Sequence, residues 1–132
     1  MSEADLEAVR RSYEDFNRGD LDAWLGWFSP EATWQAARED PDAALHTGLD
    51  AIRRYVEGWI EAYQELRCEP TEIIEGERGY LVWVRVTGTG RTSGIPLDME
   101  QAQVMTVRDG RIVDTHEYFD RVEALAVVGP AG

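Results

Sequence analysis

The chain has 132 residues, 43% of them hydrophobic, which is enough for one domain with a sizeable core. Asp and Glu number 26 against 13 Lys and Arg, and the formal net charge of -13 repels phosphate backbones and anionic lipid surfaces. We therefore expect neither a nucleic acid nor a membrane as a partner.

The N-terminus and the cysteine content indicate the compartment. The first residues, MSEADLEAVRRSYEDF, lack the basic start and apolar core of a signal peptide. No later stretch approaches about 18 consecutive apolar residues, the length of a membrane-spanning helix. Cys68 is the only cysteine and is expected to be a small buried hydrophobe rather than a catalytic thiol. These features predict a cytoplasmic protein.

Two short helices are predicted first. The first has an apolar stripe with steps of three and four residues, formed by Leu6, Val9, Tyr13 and Phe16. Ser2 can cap its start and Gly19 can end it. The second begins after Asp20 as N-cap and stops at Ser29-Pro30. Its stripe consists of Leu21, Trp24, Leu25 and Phe28.

A third helix follows a polar segment. The residues ATWQAA, 32–37, predict a short strand, and REDPDAALHTG, 38–48, has the composition of a loop. Thr47 and Asp50 have the spacing of a capping box at the start of the helix. Its strongly amphipathic stripe consists of Ile52, Tyr55, Val56, Trp59, Ile60 and Tyr63.

The remainder of the chain alternates with a period of two, which is typical of strands. Turn signals divide it into four antiparallel strands at about 67–75, 79–91, 97–108 and 111–119. A short helix over 121–127 and a flexible tail, 129–132, complete the chain. The order of elements predicts a single α+β domain over 1–128, with helices laid over one face of a bent sheet.

Three segments carry a family resemblance: YEDFNRGDLDAWLGWFSPEATW, HTGLDAIRRYVEGW and VRDGRIVDTHEYFDR. Together they resemble the SnoaL-like branch of the nuclear-transport-factor-2-like superfamily. The resemblance implies three helices packed on a strongly curved, mostly antiparallel sheet, which form a cone with an internal pocket. It also implies pairing of two chains through the outer sheet face. The superfamily includes isomerases, cyclases, hydrolases and non-catalytic domains, so the fold alone does not choose an activity.

The positions that match the catalytic residues of ketosteroid isomerases do not hold a complete catalytic set in this sequence. The position of their general base is Ala36 here, and their oxyanion-hole residues match Ser12 and Ala102. Tyr13, next to Ser12, remains a candidate pocket residue.

Matching to limonene epoxide hydrolase keeps more of the site. The corresponding positions are Arg85, Thr87 and Glu117, and two of these keep their chemical type. Because Thr87 cannot ionise, that mechanism is also incomplete.

Hairpin geometry places Arg85 and Glu117 in one row. Asp109-Gly110 is a preferred two-residue turn, which sets Ala102 opposite Glu117 if the strands contain no bulge. The preceding hairpin would pair Arg85 with Ala102 or a neighbour of like parity. The row then lies either on the outer face, as a solvated ion pair, or on the concave face, where Glu117 is an acceptor or general base. We predict the concave face, with Arg85 and Glu117 as the catalytic residues.

The predicted pocket holds a small organic ligand without a metal or cofactor. Its lining is expected to be Trp34, Trp59, Trp83, Tyr13, Thr87 and Ala102. Two His and one Cys give no spacing typical of metal ligands. The sequence predicts either an acid–base isomerase, cyclase or hydrolase acting on a partly apolar substrate, or a non-catalytic binding or accessory domain. A homodimer through the outer sheet face is predicted because one face of the sheet would remain uncovered.

Overall fold

The first two helices form at the predicted places. The computed structural model of the protein describes residues 2–41 and 43–131, and Met1, Asp42 and Gly132 lie outside the described residues. Helix α1 (Glu3–Asn17) begins with a capping box in which Ser2 Oγ accepts from Asp5 N. Helix α2 (Leu21–Leu25) is capped by Asp20 but ends before Phe28, which begins the first strand.

The predicted loop before the third helix contains a strand. Strand β1 (Phe28–Gln35) pairs with the short strand β2 (Leu45–Thr47) in antiparallel orientation. Helix α3 (Leu49–Ala62) therefore starts from Gly48, without a side-chain cap. The predicted capping box is wrong, because Thr47 pairs with Thr33 in the sheet instead.

One curved sheet of six strands carries the fold. Its remaining strands and last helix are β3 (Tyr63–Gly76), β4 (Gly79–Gly90), β5 (Pro96–Arg108), β6 (Arg111–Tyr118) and α4 (Arg121–Val128). The strand order is β2-β1-β6-β5-β4-β3, and only β1 and β6 pair in parallel. The predicted α+β class, with three N-terminal helices on a mostly antiparallel sheet, is confirmed.

The two faces of the sheet bury different clusters. The larger core lies between the helices and the concave face, where Val82, Val84 and Val86 of β4 face inward. The smaller cluster lies on the outer face beneath α4 and includes Leu81 and Ala102. Alternation along each strand separates the two clusters.

The predicted tail contacts the sheet. Pro130 O accepts a hydrogen bond of 2.8 Å from Glu77 N, and Gly129 N donates to Leu125 O at the end of α4. Gly129 has a φ of 79°, which glycine adopts without strain. These contacts fasten the end of α4 to the turn between β3 and β4.

The outer face is only partly open. Where α4 does not cover it, the face carries an ion pair between Arg85 and Asp98 and another between Arg67 and Glu69. In the part of the chain that the structure describes, no helix is long and apolar enough to cross a bilayer.

Pairing of two chains through this face stays a prediction. We expect the protein to sediment as a dimer at micromolar concentration, because the open part of a sheet face is the surface that a second copy could cover. Arg85→Glu would place a negative charge beside Asp98 and Glu100 and should shift the equilibrium toward monomer. A monomeric wild-type protein would contradict the prediction.

Candidate functional site

A small cavity lies between the concave sheet face and the helices. Its volume is about 60 Å³. A single water needs at least about 10–15 Å³ on this measure, so the cavity can hold several waters or a small organic group. The side chains lining it are Tyr13, Phe16, Trp24, Trp34, Tyr55, Val56, Trp59, Leu66, Cys68, Val86, Met99, Gln101, Gln103 and Glu117. We call this cavity and its lining the aromatic pocket.

Glu117 is the carboxylate of the aromatic pocket. It is 6% exposed and lies near the end of β6. Its Oε2 accepts hydrogen bonds from Trp34 Nε1 at 2.6 Å and from the Tyr55 hydroxyl at 3.0 Å. Its Oε1 accepts a longer bond of 3.4 Å from Ala37 N. Three donors, from β1, from α3 and from the segment after β1, therefore fix the orientation of the carboxyl group.

Burial changes the acidity of Glu117. Removal from water raises the pKa of Glu117, while the bonds from Trp34, Tyr55 and Ala37 N oppose that rise. The charge of Asp40 raises it further. A carboxyl group whose pKa lies above its ordinary value is closer to changing its protonation state at neutral pH, as an acid–base group must.

A chain of polar groups continues from the opposite wall. The Tyr13 hydroxyl donates to Gln103 Oε1 at 2.5 Å, and Gln103 Nε2 donates to Gln101 Oε1 at 2.9 Å. Burial raises the pKa of Tyr13 well above its ordinary value and that of Cys68 to about 12. Both groups are therefore neutral at physiological pH, and among the described lining residues Glu117 is the one with a charge to gain or lose there.

Aromatic rings form most of the remaining wall. Trp24 makes edge-to-face contacts with Phe16 and with Trp34, at centroid distances of 5.4 Å and 6.0 Å. Trp34 also contacts Tyr55, with the two centroids 6.4 Å apart. Such contacts are favourable and limit the freedom of the rings, so the walls are shaped before a ligand arrives.

A β-bulge turns Glu117 toward the pocket. Asp109 and Gly110 form the predicted turn, with φ of 51° and 74°, and Arg108 faces Arg111. Val107 then pairs with Ile112, but Thr106 pairs with Asp114, so Val113 is an extra residue in β6. All later residues of β6 change face.

The predicted row of Arg85, Ala102 and Glu117 is therefore wrong. Glu117 pairs with Gln103, and Ala102 pairs with Tyr118. Arg85 pairs with Glu100, which has the predicted parity with Ala102, but both lie on the outer face. The extra residue Val113 therefore places Glu117 on the concave face, whereas Arg85 and Ala102 lie on the outer face.

Arg85 does not face the cavity. Its guanidinium is exposed and donates two hydrogen bonds to Asp98, of 3.0 Å and 2.6 Å. Exposed pairs of this kind contribute little to stability, because solvent screens them. The prediction that Arg85 meets Glu117 in the pocket is wrong, and the assignment of Arg85 as a catalytic residue loses its structural basis.

The structure divides the other predicted pocket residues between the two faces. Trp34, Trp59 and Tyr13 line the aromatic pocket. Trp83, Thr87 and Ala102 do not. Trp83 Nε1 donates to Glu100 on the outer face, where Ala102 lies beside it in the cluster beneath α4, and Thr87 pairs with Asp98 in the same face.

Two partial family matches also fail to form a site. Ser12 is buried, and its hydroxyl donates to Val9 O within α1. Arg85 and Thr87, which match the epoxide-hydrolase positions, lie on the face opposite Glu117. Neither known arrangement of catalytic groups is complete here.

Sequence patterns did not identify several of the residues that line the aromatic pocket. Tyr55 and Trp24 were recognised only as parts of apolar helix stripes, and Gln101 and Gln103 only as strand residues. A signal for these two residues was present in the sequence, because both glutamines occupy alternate positions of a strand with apolar neighbours. Amides on a buried face need polar partners, so such a pair indicates a polar site. Among residues 2–41 and 43–131, no group of three or more His, Cys, Asp or Glu is placed to hold a metal ion.

Solved structures share this fold over nearly the whole chain. An NTF2-like protein of unknown function from Burkholderia pseudomallei is 25% identical, with a TM-score of 0.77 over 97% of this chain and 98% of that one. TerC, co-crystallised with polyporic acid, is 20% identical, with a TM-score of 0.77 over 91% and 94%. A protein with a ketosteroid isomerase-like fold from Catenulispora acidiphila, in complex with trimethylamine, is 15% identical, with a TM-score of 0.75 over 94% and 93%. The last two likenesses show the fold alone.

A comparison with curated proteins found no match. The sequence does match a family profile, described as the SnoaL-like domain, over residues 9–115. That match spans most of the chain: it includes α2, α3 and five of the six strands in full, and parts of α1 and β6. The chain therefore belongs to the SnoaL-like domain family.

Proposed function

We propose that this protein binds a small organic molecule in the aromatic pocket and exchanges a proton with it through Glu117. The observation that carries the proposal is a buried carboxyl group in an otherwise uncharged pocket, held in one orientation by Trp34 and Tyr55. Small-molecule sites are typically apolar cavities with a few placed polar groups, and perturbed acids in such cavities are candidates for catalysis.

The two oxygens of Glu117 are not equivalent. Oε2 already accepts two short hydrogen bonds, whereas Oε1 accepts one bond of 3.4 Å. A proton is more favourable on the oxygen with fewer donors directed at it. Oε1 is therefore the atom that we expect to take up or release the proton during isomerisation, cyclisation or hydrolytic addition.

Other groups of the pocket would bind rather than react. Gln101 and Gln103 present amides, and the Tyr13 hydroxyl is already committed to Gln103. These neutral groups can orient a carbonyl or hydroxyl of the ligand. The chain of hydrogen bonds also fixes the wall against which the ligand would lie.

A non-catalytic binding domain is the alternative. It is favoured by the position of Arg85, because no Arg or Lys lines the described pocket to stabilise an anionic intermediate. Other proteins of this fold were crystallised with polyporic acid or with trimethylamine. A binder would retain ligand affinity without any turnover.

Hydrogen exchange tests proton transfer without knowledge of the substrate. We would incubate the protein in D2O with a panel of small carbonyl compounds and amines that carry acidic C–H groups, and follow exchange by NMR. The wild-type protein should accelerate exchange of at least one compound, and Glu117→Gln should reduce that acceleration by about 100-fold or more.

The matched control is Glu31→Gln, which removes the same charge from an exposed position of β1. This variant should exchange at the wild-type rate. Saturable quenching of tryptophan fluorescence without exchange would favour the binding domain. If no compound of the panel is bound, the proposal fails in both forms.

A further inference from the structure

We infer that the ligand of the aromatic pocket is a small organic cation, of the size of an alkylammonium group. This inference rests on the proposed binding function of the pocket and adds the chemical class of the ligand. It follows from the charge, the ring content and the volume of the cavity, taken together.

The charge of the pocket is unbalanced. Among the described lining residues, Glu117 is the only acid and no Arg, Lys or His is present. Glu117 is bonded to an indole, a hydroxyl and a backbone amide, all of which are neutral donors. A buried carboxylate that lacks a counter-ion is costly, so a bound cation would recover electrostatic energy that a neutral ligand could not.

The rings supply a second attraction for positive charge. Aromatic side chains make up six of the lining residues, and they come from α1, α2, β1 and α3: Tyr13, Phe16, Trp24, Trp34, Tyr55 and Trp59. The faces of aromatic rings carry negative potential, and desolvated cation–π contacts are worth about 2 kcal/mol. Sites for alkylated ammonium groups combine such rings with a carboxylate.

Volume and long-range charge point in the same direction. A cavity of about 60 Å³ suits a compact group. The net charge of -13 raises the concentration of cations near the surface and disfavours anionic ligands. An acidic ligand would meet both the carboxylate and this overall field.

Cation binding should be coupled to the protonation of Glu117. The titratable groups that interact with its carboxyl are Tyr13 from α1, Tyr55 from α3, Cys68 from β3 and Asp40 from the segment after β1. Glu117 also lines a second pocket, whose other charged or titratable residues are Arg38, Glu39, His116, Tyr118, Asp120 and Glu123. Tyr13, Tyr55 and Cys68 remain protonated below about pH 10, because burial raises each pKa. The negative charge of Asp40, which acts on Glu117, also favours a cation. Affinity for a cation should therefore rise with pH as Glu117 ionises, whereas affinity for a neutral compound should not.

Calorimetric titration with a charged and a neutral compound of similar size tests the inference. Tetramethylammonium should bind saturably, and tert-butanol should bind at least about tenfold more weakly, since a close buried charge pair contributes about 1.5 kcal/mol or more. Glu117→Gln should weaken tetramethylammonium binding by about tenfold or more and leave tert-butanol binding within about twofold. Glu31→Gln should change neither.

Trp59→Leu provides a second variant if Glu117→Gln does not fold. Trp59 is half-buried at the pocket and stacks on Tyr63, so its loss should weaken tetramethylammonium binding several-fold and tert-butanol binding less. Equal binding of both compounds, or binding of tert-butanol alone, would overturn the inference and leave the proposed binding function intact. If neither compound binds, the inference fails, and the proposed function is decided separately by the panel of carbonyl compounds and amines.

Discussion

Replacing Glu117 with glutamine is expected to make the protein more stable at neutral pH than the wild type and to have little effect in acid. Folding raises the pKa of Glu117, chiefly because the carboxyl leaves water. For such a group, the stabilisation is fully present below the pKa of the unfolded chain and is lost as pH rises through the folded pKa. The wild type should therefore lose stability relative to the variant as the pH rises above the ordinary glutamate pKa of about 4.3.

The size of this effect follows from linkage. If the pKa of a group differs by 1 between the folded and unfolded states, its ionisation changes the free energy of unfolding by about 1.4 kcal/mol. Glutamine keeps a side-chain oxygen that can accept from Trp34 and Tyr55, so the fold should persist. Urea unfolding at a series of pH values, with the variant subtracted from the wild type, measures the contribution.

Subtraction is needed because other groups titrate in the same range. The pKa of Asp98 is lowered by its hydrogen bond to Arg85, and that of His116 is lowered chiefly by desolvation. Both groups favour the folded state at higher pH, which is the opposite sign to Glu117. A flat difference for Glu117→Gln would show that Glu117 is not a desolvated acid in the folded protein.

Deleting Val113 is expected to leave Glu117 in the pocket. Val113 is the extra residue of β6 at the bulge, so its removal lets Asp114 follow Ile112 in regular pairing with β5. Gln103 would still face Glu117. The deletion removes a half-buried side chain and the local bend of the bulge, so it should cost about 2 kcal/mol of unfolding free energy.

Val113→Ala is the matched control, because it shortens the same half-buried side chain and keeps the number of residues; it should cost about 1 kcal/mol. Urea unfolding would measure each variant with and without Glu117→Gln, and the stabilisation by Glu117→Gln at neutral pH should be the same in both backgrounds. Loss of that stabilisation in the deletion variant would show that Glu117 had left the pocket and that the bulge does more than absorb one residue.

Local patterns accounted for most of the elements. The spacing of Leu6, Val9 and Tyr13 placed α1, and turn residues bounded β4, β5 and β6 within one residue at each end. The prediction was less good where tertiary pairing overrides local preference. The second helix ended early because Phe28 pairs with Ile112, and β2 was missed because a three-residue strand has too little pattern of its own.

The family resemblance and the helix and strand patterns also predicted that Trp34, Trp59 and Tyr13 line a cavity. The structure places all three side chains in the lining of the aromatic pocket. Their positions depend on helix spacing and on one short strand, which sequence patterns describe well. Trp83, Thr87 and Ala102 depend instead on which face each long strand presents. That choice was wrong for all three.

The sequence by itself determined the order of elements, the Asp109-Gly110 turn and the shared parity of Arg85 and Ala102, because each depends on a few neighbouring residues. Only the tertiary structure decided which sheet face Glu117 occupies. Side chains alternate with a period of two, so one unpaired residue, Val113, reverses every position that follows it. The bulge depends on how β6 fits between β1 and β5, and contacts between distant strands leave no local mark in the sequence.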